Sequence, residues 1–365
     1  MKIKDVLIYL ESLAPLSLQE SYDNAGLIAG DEYRDCTGIL VSLDATAEII
    51  DEAKRRNCNL VVSHHPIIFS GLKRISEKNY VGRAVVAAIK NDIALYAIHT
   101  NLDNMSAGVN GRIAGLLGLQ HVSVLASRER MLKKLYTFVP VGSTDKVRQA
   151  IFDAGGGHIG NYSECSFNAE GFGTFKGDET TDPYAGKPGE LHRENEMKVE
   201  VIFPAWLERR IISNLVAAHP YEEVAYDIVS LDNWSSTIGS GLVGDLAEPI
   251  DELLFLKKVK ETFKLEVIKH TAILNRPVKK VAVCGGAGSF LISKALAAGA
   301  DIFITADIKY HEFFDANGRM LIADIGHYES EQFTINLLKE FLEEKFPTFA
   351  VLKTEVITNP VQYFL

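Results

Sequence analysis

Two stretches of this 365-residue chain line up at a constant offset of 242 residues, and that repeat limits its fold more than any other feature. Gly38 to Pro66 reads GILVSLDATAEIIDEAKRRNCNLVVSHHP, and Lys280 to Ile308 reads KVAVCGGAGSFLISKALAAGADIFITADI. In each, a β-branched run (Ile39 to Leu43, Val281 to Cys284) passes through small residues into a segment of helical period. A second apolar run follows (Leu60 to Ser63, Ile302 to Thr305), so each stretch reads as a βαβ unit. Further on, IALYAIHTNLDN (Ile93 to Asn104), after a helical stretch at Val81 to Lys90, and MLIADIGHYESE (Met320 to Glu331) each end a short apolar strand in polar residues. The predicted fold class is therefore α/β: two related α/β lobes, residues 1–126 and 241–365, forming one domain.

Residues 127–240 have a different texture. They are predicted as strand (Lys134 to Val139), helix (Thr144 to Ala154), a Gly-rich β-hairpin region (Gly155 to Lys176), strand (Met197 to Phe203), helix (Ala205 to Ala218) and strand (Tyr226 to Leu231). That order, βαββαβ, is the ferredoxin-like α+β arrangement, here interrupting the two lobes. Gly177 to Glu196, with Pro183 and Pro188, reads as an exposed loop, and Gly155, Gly156 and Gly157 as a backbone device at a helix end.

Charge narrows the function classes. The net charge is −10, with 12 basic and 17 acidic residues in the insert, which leaves a net of −5 to each part. Neither part has the cationic excess that phosphate-backbone binding rests on, so nucleic acid is an unlikely partner. No apolar run approaches the roughly 18 residues of a membrane-spanning helix, and the amino terminus lacks a signal-type apolar region. The four cysteines are widely spaced, without a CxxC pair, which fits reduced thiols and a cytoplasmic location.

In open α/β sheets, ligands bind beyond the carboxyl ends of the strands. Leu60 to Ser63 delivers His64 and His65 there, Ile93 to Ile98 delivers His99 and Asp103, and Met320 to Ile325 delivers His327 and Glu331. His327 and Glu331 are four apart where a helix begins and share one of its faces. Adjacent imidazoles diverge at a strand end, which suits two ions better than one. Imidazole with carboxylate fits Zn²⁺ first, and also Fe²⁺, Mn²⁺ or Co²⁺; the absence of cysteine ligands speaks against a purely structural zinc. A carboxylate, Glu331 or Asp103, can bridge two ions. His99 is open to two readings: a ligand itself, or a support beside Asp103 as ligand.

Other features admit two readings each. Gly286 and Gly288, in a Gly-rich stretch that opens a helix, are either phosphate contacts or a tight turn, and Leu291 breaks the full dinucleotide fingerprint. Thr305, Asp307, Lys309 and His311 either border the cleft or are solvated loop residues. Tyr22 and Asn24 sit in a polar turn that either meets a ligand or is turn chemistry alone.

The motifs SHHP (Ser63 to Pro66), HTNLDN (His99 to Asn104), DIKYHE (Asp307 to Glu312) and GHYESE (Gly326 to Glu331), with SYDNAGL near the start, resemble the Nif-three-like family, whose members are called homologues of a type 2 GTP cyclohydrolase I. The resemblance covers essentially the whole chain. AHPYEEVAYDI (Ala218 to Ile228) resembles the insert of the long bacterial members, which is similar to PII and CutA proteins. The resemblance implies two divalent metals held by His64, His65, Asp103, His327 and Glu331. It also implies a homohexamer in which inserts associate as trimers. Two functions are then expected. The first is a metal-dependent hydrolase acting on a nucleotide or related heterocycle, with His99 or His311 as proton carrier. The alternative is a metal-binding regulatory or scaffold protein whose insert binds an effector or partner.

Overall fold

The structure, a computed structural model, describes residues 1–364. It separates into two compact units: Met1–Ser127 with Ser236–Leu365, and Arg128–Ser235.

The first unit holds two sheets. The five-stranded sheet comprises β1 (Gly26–Ala29), β2 (Ile39–Ser42), β3 (Leu60–Ser63), β4 (Ala94–Ala97) and, near the carboxyl terminus, Val351–Lys353. Its order is β1, β4, β3, β2, then Val351–Lys353; all pairs are parallel except β1 with β4. The second sheet begins with β5 (Gln120–Ser127).

The second unit contributes β6 (Leu132–Pro140), β7 (Phe167–Phe175), β8 (His192–Pro204) and β9 (Tyr226–Leu231), with helices Thr144–Asp153 and Glu208–Ala218. Its sheet order is β7, β8, β6, β9, antiparallel throughout.

The chain then returns through β10 (Gly239–Ile250), β11 (Lys269–His270), β12 (Val278–Ala287), β13 (Ile302–Ala306) and β14 (Leu321–Asp324); Val351–Lys353 is β15. The second sheet runs β11, β14, β13, β12, β10, β5, with only β12, β13 and β14 mutually parallel. Residues 239 and 240, expected in the insert, pair with β5 in this sheet instead.

Side-chain alternation along the parallel strands builds the core. Ile39, Val41, Leu60, Val62 and Tyr96 share one apolar cluster with Val281, Val283, Ile302, Ile304 and Leu321 of the other sheet. Their neighbours face outward: Leu40, Val61 and Leu95 pack with residues of helices Ala47–Arg55 and Tyr80–Lys90, and Ala282, Phe303 and Ile322 with helix Ile292–Ala297. Both faces of each parallel set are therefore covered, which is why these strands read as continuous apolar runs.

Two expected elements differ. The exposed loop expected at Gly177 to Glu196 ends sooner, since residues 192–196 already belong to β8 and Glu196 is buried. Residues 155–176 do not form a hairpin: only Phe167–Phe175 is a strand, and its partner is β8, reached across the long loop 176–191. The glycines serve another purpose, since Gly155 and Gly157 take positive φ (99° and 78°) to leave the preceding helix. Among the described residues, no helix is long and apolar enough to cross a membrane.

Candidate metal centre

Strand ends bring the polar residues together. Beyond β3 the chain bends at His64 and His65, whose amides donate to the Ser42 and Leu43 oxygens. The bend turns both imidazoles into one cleft, with ring centroids 4.9 Å apart and planes at 45°. His99 precedes the short helix Thr100–Asp103 after β4, and His327 and Glu331 bound the helix His327–Glu331 after β14.

Four imidazoles share one orientation. His64 Nδ1 donates to the Ile98 oxygen (2.8 Å), His65 Nδ1 to Asp44 (2.8 Å), His99 Nδ1 to Asp23 (2.7 Å) and His327 Nδ1 to Asp307 (2.7 Å). A carbonyl or carboxylate can only accept, so each Nδ1 carries the proton and Nε2 is the atom left for a ligand.

Glu331 lies at the meeting point, 3% exposed. Its Oε2 is 2.9 Å from His65 Nε2 and 3.2 Å from His327 Nε2, while Oε1 is 3.8 Å from His64 Nε2. His64 Nε2 in turn lies 3.5 Å from Asp103 Oδ1. Both of those atoms are buried with no hydrogen-bond partner, a costly condition that an ion between them removes. Among the described residues, three groups are close enough to hold a metal ion: His65, His327 and Glu331; His64, Asp103 and Glu331; and His64, His65 and His99. The residues thus fit divalent metal, and Glu331 belongs to two of the groups.

Electrostatics follow from the geometry. Burial opposes charge on His65, yet hydrogen bonds to Asp44 and Glu331 push it up to about 9; the same balance, with Asp307 and Glu331, takes His327 to about 11. Burial, with Glu331 beside it, raises Asp103, while the His327 and His65 imidazoles against Oε2 outweigh burial and hold Glu331 low. Hydrogen bonds from His99 and Thr100 outweigh burial at Asp23 and keep it at about 2. Burial raises the Cys284 thiol, which lines the cavity as the neutral form.

In the metal-free protein these raised imidazoles favour the fold fully below the ordinary histidine range, and the His65 contribution fades as pH rises through about 9. Metal must displace those protons. Loading at pH 7 is expected to release about two protons per chain, with affinity rising as pH rises. Calorimetry in buffers of different ionisation enthalpy counts them; a heat independent of buffer would rule the protonated pair out.

The glycines have a structural role. Gly286 takes φ +63°, its amide donates to Ser330 Oγ (3.0 Å), and a β-carbon there would overlap Glu331 Oε1. No donor remains at Gly286 for phosphate. A β-carbon at Gly288 would overlap Thr305 Oγ1, whose hydroxyl donates to the Gly286 oxygen. His311 is exposed, stacked among Tyr310 and Phe314, and does not line the cavity of about 680 Å³ that has His65, His99 and His327 at its wall. Asp23 and Asp44 escaped sequence reading. Each lies next to a strand neighbouring the one whose histidine it holds, so a strand-end acid beside a strand-end histidine was the available signal. Asp307, expected either to border the cleft or to be solvated, borders the site through His327.

The family described as Duf34/NIF3 (NGG1p interacting factor 3) matches residues 1–360. The chain belongs to that family. A protein of Halalkalibacterium halodurans named GTP cyclohydrolase 1 type 2 homolog is 38% identical, with 98% of each chain covered. A Bacillus subtilis protein of the same name is 36% identical over 99% of this chain and 98% of its own. Among solved structures, a Bacillus cereus protein related to NIF3 superposes with a TM-score of 0.87 at 37% identity, covering 100% of this chain and 99% of that one.

Proposed function

We propose that this family member is a metal-dependent hydrolase acting on a nucleotide or related heterocycle, in which His64, His65, Asp103, His327 and Glu331 would hold two divalent ions, zinc first among them. The observation that carries this reading is the split of Glu331, one oxygen toward His65 and His327 and the other toward His64, whose buried Nε2 and Asp103 Oδ1 lack partners. Bound ions of this kind polarise a substrate and make water a nucleophile near neutral pH. His99 falls outside both groups that contain Glu331. We assign it the proton transfer at Nε2, with ionised Asp23 holding Nδ1.

The cavity rim supports a planar substrate. Tyr22, Phe69, Tyr80 and Phe290 line it while each is more than half exposed, and the Phe69 ring lies 5.7 Å from that of His99. Its lining contains no Lys or Arg, so ring stacking, not a phosphate clamp from this chain, carries recognition. In metal-loaded protein, guanosine and GTP are expected to bind within about tenfold of each other, and Phe290→Ala to weaken both about tenfold. Titration of both ligands reads this; a large preference for GTP that Phe290→Ala leaves unchanged would contradict it. The function itself is tested by screening metal-loaded protein against nucleosides, nucleotides and phosphoesters beside His64→Ala. Absence of turnover, with a comparable enzyme active in the same assay, would remove the hydrolase reading.

The same proposal takes the chain as two related lobes with a ferredoxin-like insert, assembling as a homohexamer through trimers of inserts. Light scattering checks the assembly.

A further inference from the structure

The second unit has a cavity of its own, about 680 Å³. Leu135, Val139, Val199, Val201 and Phe203 of its sheet enter the cluster shared with the two helices, so Phe138, Glu196 and Lys198, offset by one residue, project from the opposite face into this cavity. Register places Gly171 opposite Glu196 and Ala169 opposite Lys198. Ala169, Gly171 and Gly173 thus leave a trough along β7, closed above by Pro183 and Tyr184 from one loop and Tyr221 from another.

A carboxylate forms its floor. Glu196 is only 7% exposed; its Oε1 accepts the Tyr221 hydroxyl hydrogen bond (2.7 Å), and its Oε2 has no donor among the described residues. A β-carbon at Gly173 would overlap Oε2, so glycine keeps that oxygen accessible. Tyr221 is itself held in place: His219 Nε2 donates to the Phe138 oxygen (3.0 Å) while Nδ1 accepts the Tyr221 amide (3.1 Å). The Phe175 and Tyr184 rings stand 5.9 and 6.0 Å from that of Tyr221. Of the lysines at the margin, Lys198 is engaged by Glu200 (2.8 Å) and lies over Tyr136, and Lys176 is exposed. A buried carboxylate with an open oxygen, walled by aromatic rings, favours a cation.

We propose that this cavity binds a small organic cation, its ammonium donating to Glu196 Oε2 beside the Tyr221 and Phe175 rings and its apolar body lying along Ala169, Gly171 and Gly173. The site is independent of the metal centre and gives the AHPYEE segment, His219 and Tyr221 above all, a role in recognition.

The test uses full-length protein and three probes of one shape: phenethylamine, its neutral counterpart 2-phenylethanol and the anion phenylacetate, read by calorimetry and saturation-transfer NMR. Phenethylamine is expected to bind at least about tenfold more tightly than either counterpart, and Glu196→Gln to remove about tenfold of that affinity. Tyr184→Ala, at a 59% exposed position, is expected to weaken binding without loss of fold and keeps the test valid should Glu196→Gln unfold. Gly173→Ala should also weaken it by displacing the carboxylate. Equal binding of amine and alcohol, preference for phenylacetate, unchanged affinity in Glu196→Gln and Tyr184→Ala, or no binding of the amine at millimolar concentration would each overturn the proposal.

Discussion

Glu331→Ala is expected to reduce bound divalent metal from about two ions per chain to nearly none, whereas Asp103→Ala should lose about one. The difference follows from position. Glu331 is common to the group with His65 and His327 and to the group with His64 and Asp103, so its removal opens both; Asp103 serves only the second. The loss also leaves His65 and His327 without the acceptor of their Nε2 groups, 2.9 and 3.2 Å away. Their pKa values then fall back toward the ordinary range, and less metal-free stability is lost on raising pH. Elemental analysis of gently purified variants reads the metal, and thermal melts at pH 6 and 9 read the linkage. One ion retained at native affinity in Glu331→Ala would mean two independent sites, not a shared carboxylate.

Gly286→Ala is expected to damage the candidate metal centre well beyond its cost in backbone strain. Left-handed backbone at φ +63° costs an alanine about 1 kcal/mol. More serious is where the methyl goes, because it would meet the Glu331 oxygen that faces His64. The carboxylate must turn away, and metal affinity should fall by roughly 10–100-fold, the range seen when a ligand loses its orientation. Gly299→Ala is the control: its φ is +71°, and nothing lies within 4 Å of the added carbon. It shares the backbone cost without the collision. Metal affinity by competition with a chelator, alongside Tm, separates the effects; equal affinity loss in both variants would show that backbone strain alone is responsible.

The candidate ligands were legible in the sequence because each lies just beyond a short apolar run whose period reveals a strand. Leu60 to Ser63 ends at His64, and the β4 run ends just before His99; local chemistry marks such junctions whatever lies across the cleft. The four-residue spacing of His327 and Glu331 likewise fixed their common helical face. Gly155 to Lys176 misled because glycine marks a place where the backbone can bend but not which strand pairs with which. There the pairing went to β8, beyond the next loop.

Local patterning along the chain sufficed for the two βαβ units, the strand-end histidines and carboxylates, and the family motifs, since all of these rest on contacts between near neighbours in the chain. Long-range packing is what puts Glu331 in both candidate ligand groups, sets Asp23, Asp44 and Asp307 against the imidazoles, makes room for a carboxylate at Gly286 and leaves His311 outside. These depend on two sheets packing through one core so that residues 266 positions apart, His65 and Glu331, come within 2.9 Å. Side-chain period places a residue on a face, but the distance between faces is set by the packing of everything between them.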